Sequence, residues 1–150
     1  MINFNTQAKL YNLIGQQPII TKMIPYEKRF CISSSHDGSV YIWDVFNRVS
    51  VMTMNHHEGP ITDMVLVGSH LITAGQDGNV LICSPSSGQL NKTFTYKYSI
   101  TSLYALTHED FIISTSNGLL KILNVHHGHT DINICTQAIL KFHNSCHQLG

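Results

Sequence analysis

Ten histidines stand among 150 residues, and imidazole is both the commonest metal ligand and a general acid or base near neutral pH. The densest groups are His126-His127-Gly128-His129, and His143, Cys146 and His147 further on. Zinc takes about four Cys, His or carboxylate ligands at held geometry, and paired ligands at short spacing usually announce the site. Three His in one loop, with no matched Cys pair, lack that form. His36-Asp37 and His57-Glu58 place an acid beside a base, but neighbours on a strand point to opposite faces and form no dyad by adjacency. There is no Gly-x-Ser-x-Gly elbow, phosphate-cradling loop, dinucleotide fingerprint or His-Glu-x-x-His pair. A metal-dependent or hydrolytic enzyme would need the fold to bring His126, His129 and a distant carboxylate together. The sequence itself predicts no catalytic residue, no metal and no cofactor.

What positions these residues is a turn written three times. Asp37-Gly38, Asp77-Gly78 and Asn117-Gly118 follow one another at intervals of 40 residues, each between two runs of small or apolar residues. Asx-Gly in that setting is a strong hairpin signal, because these residues tolerate the positive φ of tight hairpin turns. A fixed period of this length is a property of the whole architecture. Around each turn the reading is four strands. The first unit has Ile19 to Ile24, closed by Pro25-Tyr26-Glu27-Lys28, then Phe30 to Ser35, Ser39 to Asp44 and Val49 to Met54. The second has Ile61 to Val67, Leu71 to Gly75, Asn79 to Cys83 and Leu90 to Thr95. The third has Ser99 to Leu106, Phe111 to Thr115, Leu119 to Val125, a polar loop 126–131 and a last strand within Ile132 to Phe142. No stretch holds a 3.6-residue period with helix caps, so no helix is expected.

Composition narrows the class. The chain is 43% hydrophobic, 12% charged and balanced, with nine basic and nine acidic residues. That excludes a disordered chain and gives no general attraction for nucleic acid or an anionic membrane. No apolar run approaches the roughly 20 residues of a membrane span. The first residues do not resemble a signal peptide, and Cys31 and Cys83 sit in strand-like runs, so reduced thiols and a cytoplasmic or nuclear location are expected.

Four-stranded units repeated radially describe a β-propeller. The stretch from Ser33 to Asp44, ending in Trp43-Asp44, resembles the second half of a WD repeat, and His57-Glu58-Gly59-Pro60-Ile61 is similar to that family's Gly-His region. The resemblance covers residues 8–142. It implies an all-β, partial β-propeller of about three four-stranded antiparallel blades, at about 19–54, 61–95 and 100–142. Strand 8–14 precedes them as an outer strand, and 1–7 and 143–150 are flexible tails. The family's buried hydrogen-bonded network falls on Ser33, Asp37 and Trp43 in the first blade and on His57, Thr73 and Asp77 in the second, where Cys83 replaces the Trp. In the third it is reduced to Asn117.

The resemblance also implies a partner-binding rim made by the residue before each turn Asx and by the loop leading into each blade. Those positions are His36, Gln76 and Ser116, with Pro18, Glu58, Pro60, Lys97 and Ser99. The expected function is a non-catalytic protein–protein interaction scaffold that docks partner proteins on its loop face within a larger assembly. A nucleic-acid-binding propeller is the alternative, and it needs a one-sided basic face. Propellers have about four to eight blades, so three imply a fragment or truncated product, or association with further blades or with a second copy.

Overall fold

The structure, a computed structural model, describes residues 18–129. They form three four-stranded antiparallel sheets, each a meander in chain order. The first contains β1 (Ile20–Tyr26), β2 (Phe30–Ser35), β3 (Ser39–Asp44) and β4 (Val49–Asn55). The second contains β5 (Ile61–Val67), β6 (His70–Gly75), β7 (Asn79–Cys83) and β8 (Leu90–Thr95). The third contains β9 (Ile100–Ala105), β10 (Asp110–Thr115), β11 (Leu120–Asn124) and the short β12 (Gly128–His129). Among the described residues there is no helix, and so none long and apolar enough to cross a membrane. Contacts between sheets concentrate on β1, β5 and β9, the first strands, so the units fan out from a shared inner edge.

The core lies between the sheets, and residues 40 apart do the same work in it. Ile32 and Ile42 of the first sheet pack with Ile61, Met64, Leu71, Leu81 and Cys83 of the second. One unit on, Ile72 and Ile82 pack with Ile100, Leu103, Phe111, Ile113 and Leu123 of the third. Each fully buried side chain of this size is worth roughly 1.5–3 kcal/mol against exposure. Ile112 and Ile122, the third members of the series, are only half-buried.

A second series sits on the inner strands. Each pairing of first and second strand skips one residue, at Thr21, Thr62 and Thr101. These bulges follow the recurring dipeptides Ile20-Thr21, Ile61-Thr62 and Ile100-Thr101. A bulge re-aims the residue after it, here Lys22, Asp63 and Ser102. Those three converge on one carboxylate. Asp63 Oδ2 accepts from the Leu103 N–H at 2.7 Å and from Ser102 Oγ at 3.3 Å, and Oδ1 accepts from its neighbour Met64 N–H at 2.8 Å and from Lys22 Nζ. One buried side chain thus ties all three sheets together.

Two expectations about the strands need correction. Pro25-Tyr26 does not close β1 but ends it, with Pro25 opposite Cys31, and the turn falls at Glu27–Arg29. Proline is tolerated there because β1 pairs only with β2, so its other edge needs no N–H donor. The polar loop after β11 is also shorter than expected. Asn124 Oδ1 accepts from the His126 and His127 N–H groups at 2.9 and 3.1 Å, and this side-chain turn lets Gly128 and His129 pair with Asn124 and Leu123. Asp44 does the same for Phe46 and Asn47 at 3.1 and 3.0 Å. The expected strands at 8–14 and 132–142 and the tails 1–7 and 143–150 lie outside the described residues.

Candidate functional site

The three Asx-Gly turns share one construction. Gly38, Gly78 and Gly118 N–H groups donate to Ser35, Gly75 and Thr115 carbonyls at 3.3, 3.2 and 3.0 Å. Only the glycines take positive φ, at 90°, 79° and 84°. The Asx residues keep negative φ, against the expectation for a tight hairpin, because their side chains serve as acceptors. Asp37 Oδ1 accepts from the Ser39 N–H at 2.9 Å and from Ser35 Oγ. Asp77 Oδ1 accepts from the Asn79 N–H at 3.0 Å, and Asn117 Oδ1 accepts from Thr115 Oγ1 at 2.5 Å. Burial alone would raise the Asp37 and Asp77 carboxyls, but these hydrogen bonds outweigh it and leave both below the ordinary carboxylate value.

The turns are stitched to the loops that lead into the blades. His36, Gln76 and Ser116 N–H groups donate to the carbonyls of Ile19, Pro60 and Ser99 at 2.8, 2.9 and 2.9 Å. The first two turns also abut the loop of the following unit. A Cβ on Gly38 would lie 2.5 Å from the His57 carbonyl oxygen, and one on Gly78 2.4 Å from that of Tyr96. Turns and loops therefore alternate along one face as a continuous rim. His36, Glu58, Gln76, Lys97 and Ser116 are exposed on it, and Pro18, Pro60 and Ser99 are half-buried. Sequence reading missed two apolar members, Ile19 and Tyr98, which are 73% and 43% exposed. Lys97 Nζ lies 5.6 Å from the Tyr98 ring centroid. An aromatic residue in a polar loop was the signal for the second.

Beneath the rim the network residues are distributed unevenly. In the first sheet the Trp43 indole N–H donates to Ser33 Oγ at 2.8 Å, while Asp37 is used wholly by its turn. In the second, His57 Nδ1 lies 2.9 Å from Asp77 Oδ2 and Nε2 2.9 Å from Thr73 Oγ1. Burial lowers the His57 pKa despite the Asp77 carboxylate. The neutral ring then donates from Nδ1 to Asp77 and accepts the Thr73 hydroxyl proton at Nε2. Cys83, at the position of Trp43 one unit on, is buried, and burial pushes its thiol up to about 11. Such a thiol is an inert core group.

The described histidines do not assemble a centre. His126 Nε2 lies 4.0 Å from Glu109 Oε1, and the His126 ring centroid is 5.8 Å from that of His70 and 6.4 Å from that of His127. Among the described residues no group of three or more His, Cys, Asp or Glu is disposed to hold a metal. His143, Cys146 and His147 lie outside them. The turn after β1 carries an ion pair: Arg29 Nε and Nη2 both reach Asp44 Oδ2, at 2.9 and 2.5 Å. The guanidinium draws the Asp44 carboxyl down to about 2.

Comparison with known proteins decides what this architecture is. The model of the WD domain, G-beta repeat, matches residues 8–44. The chain carries a WD40 repeat. Its fold is that of a partial WD40 β-propeller, and the sheets are its blades. The match starts at residue 8 and ends at Asp44, so the repeat takes in the stretch before the first blade and stops at the end of β3. The p21-activated protein kinase-interacting protein 1-like of Danio rerio is 30% identical over 77 residues, which are 50% of this chain and 21% of that protein. The solved RRP9 WD40 repeats superpose with a TM-score of 0.72 at 20% identity, covering 78% of this chain and 38% of that one. The WD40 β-propeller domain of Doa1 gives 0.66 at 25% identity, covering 69% and 36%. The chain thus spans about a fifth of that relative and somewhat over a third of those solved chains. WD40 propellers are typically non-enzymatic and generally act as protein-interaction scaffolds.

Proposed function

We propose that this chain is a non-catalytic docking module, working in the cytoplasm or nucleus as part of a larger propeller assembly, that holds a partner protein across its rim. The observation that carries the reading is the alternation of Asx-Gly turns and leading loops along one face, with His36, Glu58, Gln76, Lys97 and Ser116 exposed on a backbone fixed by hydrogen bonds. Loops held on a rigid scaffold are where recognition concentrates. The chemistry of the rim suits a polypeptide: a half-exposed aromatic at Tyr98, an exposed aliphatic at Ile19, and both charges between them in sequence. Interfaces draw most of their energy from such aromatic anchors within a polar surround. The Danio rerio relative's name describes a protein that interacts with p21-activated kinase, and that supports an interaction role here without naming the partner.

The test replaces Glu58 and Lys97 with Ala together, and separately Tyr98 with Ala. Co-purifying proteins are quantified for each variant beside its melting temperature. A partner retained by the wild type and lost by both variants at unchanged melting temperature supports the rim. Unaltered capture by both refutes it.

A further inference from the structure

At the other end of the sheets from the rim, the bases of blades 1 and 2 enclose a cleft of about 230 Å³. Its walls are Tyr26, Phe30, Ile42, Met52 and Pro85, and Glu27 lies among them. The volume is below the roughly 300–1,000 Å³ of ordinary small-molecule sites, so it fits one side chain better than a metabolite. Its chemistry has two parts. The walls are aliphatic and aromatic, with the Tyr26 and Phe30 rings 6.4 Å apart. Of the lining residues only Glu27 is charged at neutral pH.

Glu27 is exposed, and among the described residues no Lys or Arg forms an ion pair with it. The nearby Arg29 lies over Phe30 at 5.8 Å, but its guanidinium is held by Asp44. Glu27 also sits at φ 52°, a left-handed conformation unusual for a residue with a side chain. Burial, and then the Glu27 carboxylate, raise the Tyr26 pKa above its ordinary value, as expected of a carboxylate close to that hydroxyl. An apolar slot with two aromatic rings and a carboxylate that no Lys or Arg among the described residues pairs complements a group that is apolar along its stem and cationic at its tip. A linear alkylammonium is such a group.

We propose that this cleft receives a lysine side chain of a partner protein, its methylenes against Ile42, Met52 and Pro85 and its ammonium at Glu27 beside the Tyr26 and Phe30 rings. The site lies apart from the rim and does not depend on the rim reading.

The probes are n-pentylamine, 1-pentanol, pentanoate and Nα-acetyl-lysine N-methylamide, titrated into the full chain. Binding is followed by NMR on the Met52 methyl and the Tyr26 and Phe30 ring signals. The expected result is saturable, millimolar binding of the amine and of the blocked lysine, with at least fivefold weaker binding of pentanol and pentanoate. Glu27→Gln should weaken the amine at least fivefold, and Ser86→Phe, at the exposed lip, should block it. Equal binding of pentanol and amine, or an unchanged affinity in Glu27→Gln, overturns the charge assignment. Binding of pentylamine without the blocked lysine overturns the protein side chain as occupant. No saturable shift with any probe overturns the site. The Glu58→Ala/Lys97→Ala rim variant should leave every titration unchanged, so the two readings fail separately.

Discussion

Replacing Asp63 with Ala should be among the most damaging single changes in this chain. The carboxylate is buried and joins three blades through the Leu103 N–H, Ser102 Oγ, Lys22 Nζ and its neighbouring Met64 N–H. Its removal strands the Leu103 amide on a buried inner strand, at a cost of about 1–3 kcal/mol. Losing the bond to the Met64 amide adds about 1 kcal/mol. Lys22 is 36% exposed, so its share is that of a screened surface pair, about 0.2–1 kcal/mol. The sum is about 3 kcal/mol. For a unit of this size that lowers the melting temperature by roughly 10–20 °C. Urea unfolding monitored by circular dichroism measures the loss, and amide exchange at Leu103 localises it. Lys22→Met should cost under about 1 kcal/mol. Asp63→Asn keeps one acceptor and should fall between the two. The reasoning is refuted if Asp63→Ala stays within about 0.5 kcal/mol of wild type, or if Lys22→Met costs as much as Asp63→Ala.

The remaining predictions concern the turns and the buried network. Gly38→Ala should destabilise by at least about 1 kcal/mol more than Gly118→Ala. Both positions have positive φ, but only at Gly38 does the new Cβ meet a backbone oxygen, while at Gly118 none of the described atoms lies within 4 Å; equal melting temperatures would contradict this. His57 is neutral when folded, its pKa below the ordinary 6.5, so the unfolded chain binds the extra proton as pH falls. Stability should therefore drop from about pH 6.5 downward through the folded pKa, and His57→Gln should remove that step from a plot of melting temperature against pH. Asp77, also lowered, contributes stability that is lost only further down, as pH falls below 3.8. Ser33→Ala leaves the buried Trp43 indole N–H without its acceptor and should cost about 1–3 kcal/mol. Because Trp43 is the single tryptophan, its fluorescence during unfolding reports on the first blade, and an unshifted midpoint in Ser33→Ala would remove the bond's claimed role.

The fold was legible because two periods coincide in the sequence. The 40-residue spacing of Asp37, Asp77 and Asn117 gives the units, and apolar pairs such as Ile32 and Ile42, or Ile72 and Ile82, give their faces. The all-β class and the absence of helix among the described residues follow from those two alone. That His36, Gln76 and Ser116 lie at turns was legible from the same Asx-Gly pairs, whereas the rim role was implied only by the resemblance to WD repeats. What escaped was whatever depends on side chains meeting across units. Lys22, Asp63 and Ser102 are about 40 residues apart and chemically unlike, and only the bulged threonines before them, Thr21, Thr62 and Thr101, mark the shared position. The partnership of Arg29 with Asp44 was hidden because their pairing passes through a hairpin rather than through adjacent positions. Pro25 was read as a terminator because sequence does not reveal that one edge of β1 has no strand partner.

The placement of the core between blades bears on how such a chain can change length. Ile32 and Ile42 offer the first blade's surface, and Leu71 and Leu81 offer the second blade's reply; the second blade then presents Ile72 and Ile82 to Phe111 and Leu123 of the third. The second unit thus carries both a receiver face and a donor face. Duplicating or deleting a whole unit by recombination regenerates a complete junction wherever the cut falls at the same phase, whereas a cut of any other length leaves two mismatched faces. Stability in such an array accumulates junction by junction. The evolutionary unit is therefore set by the interface and its 40-residue phase, and blade number can vary in steps without a new core having to be invented.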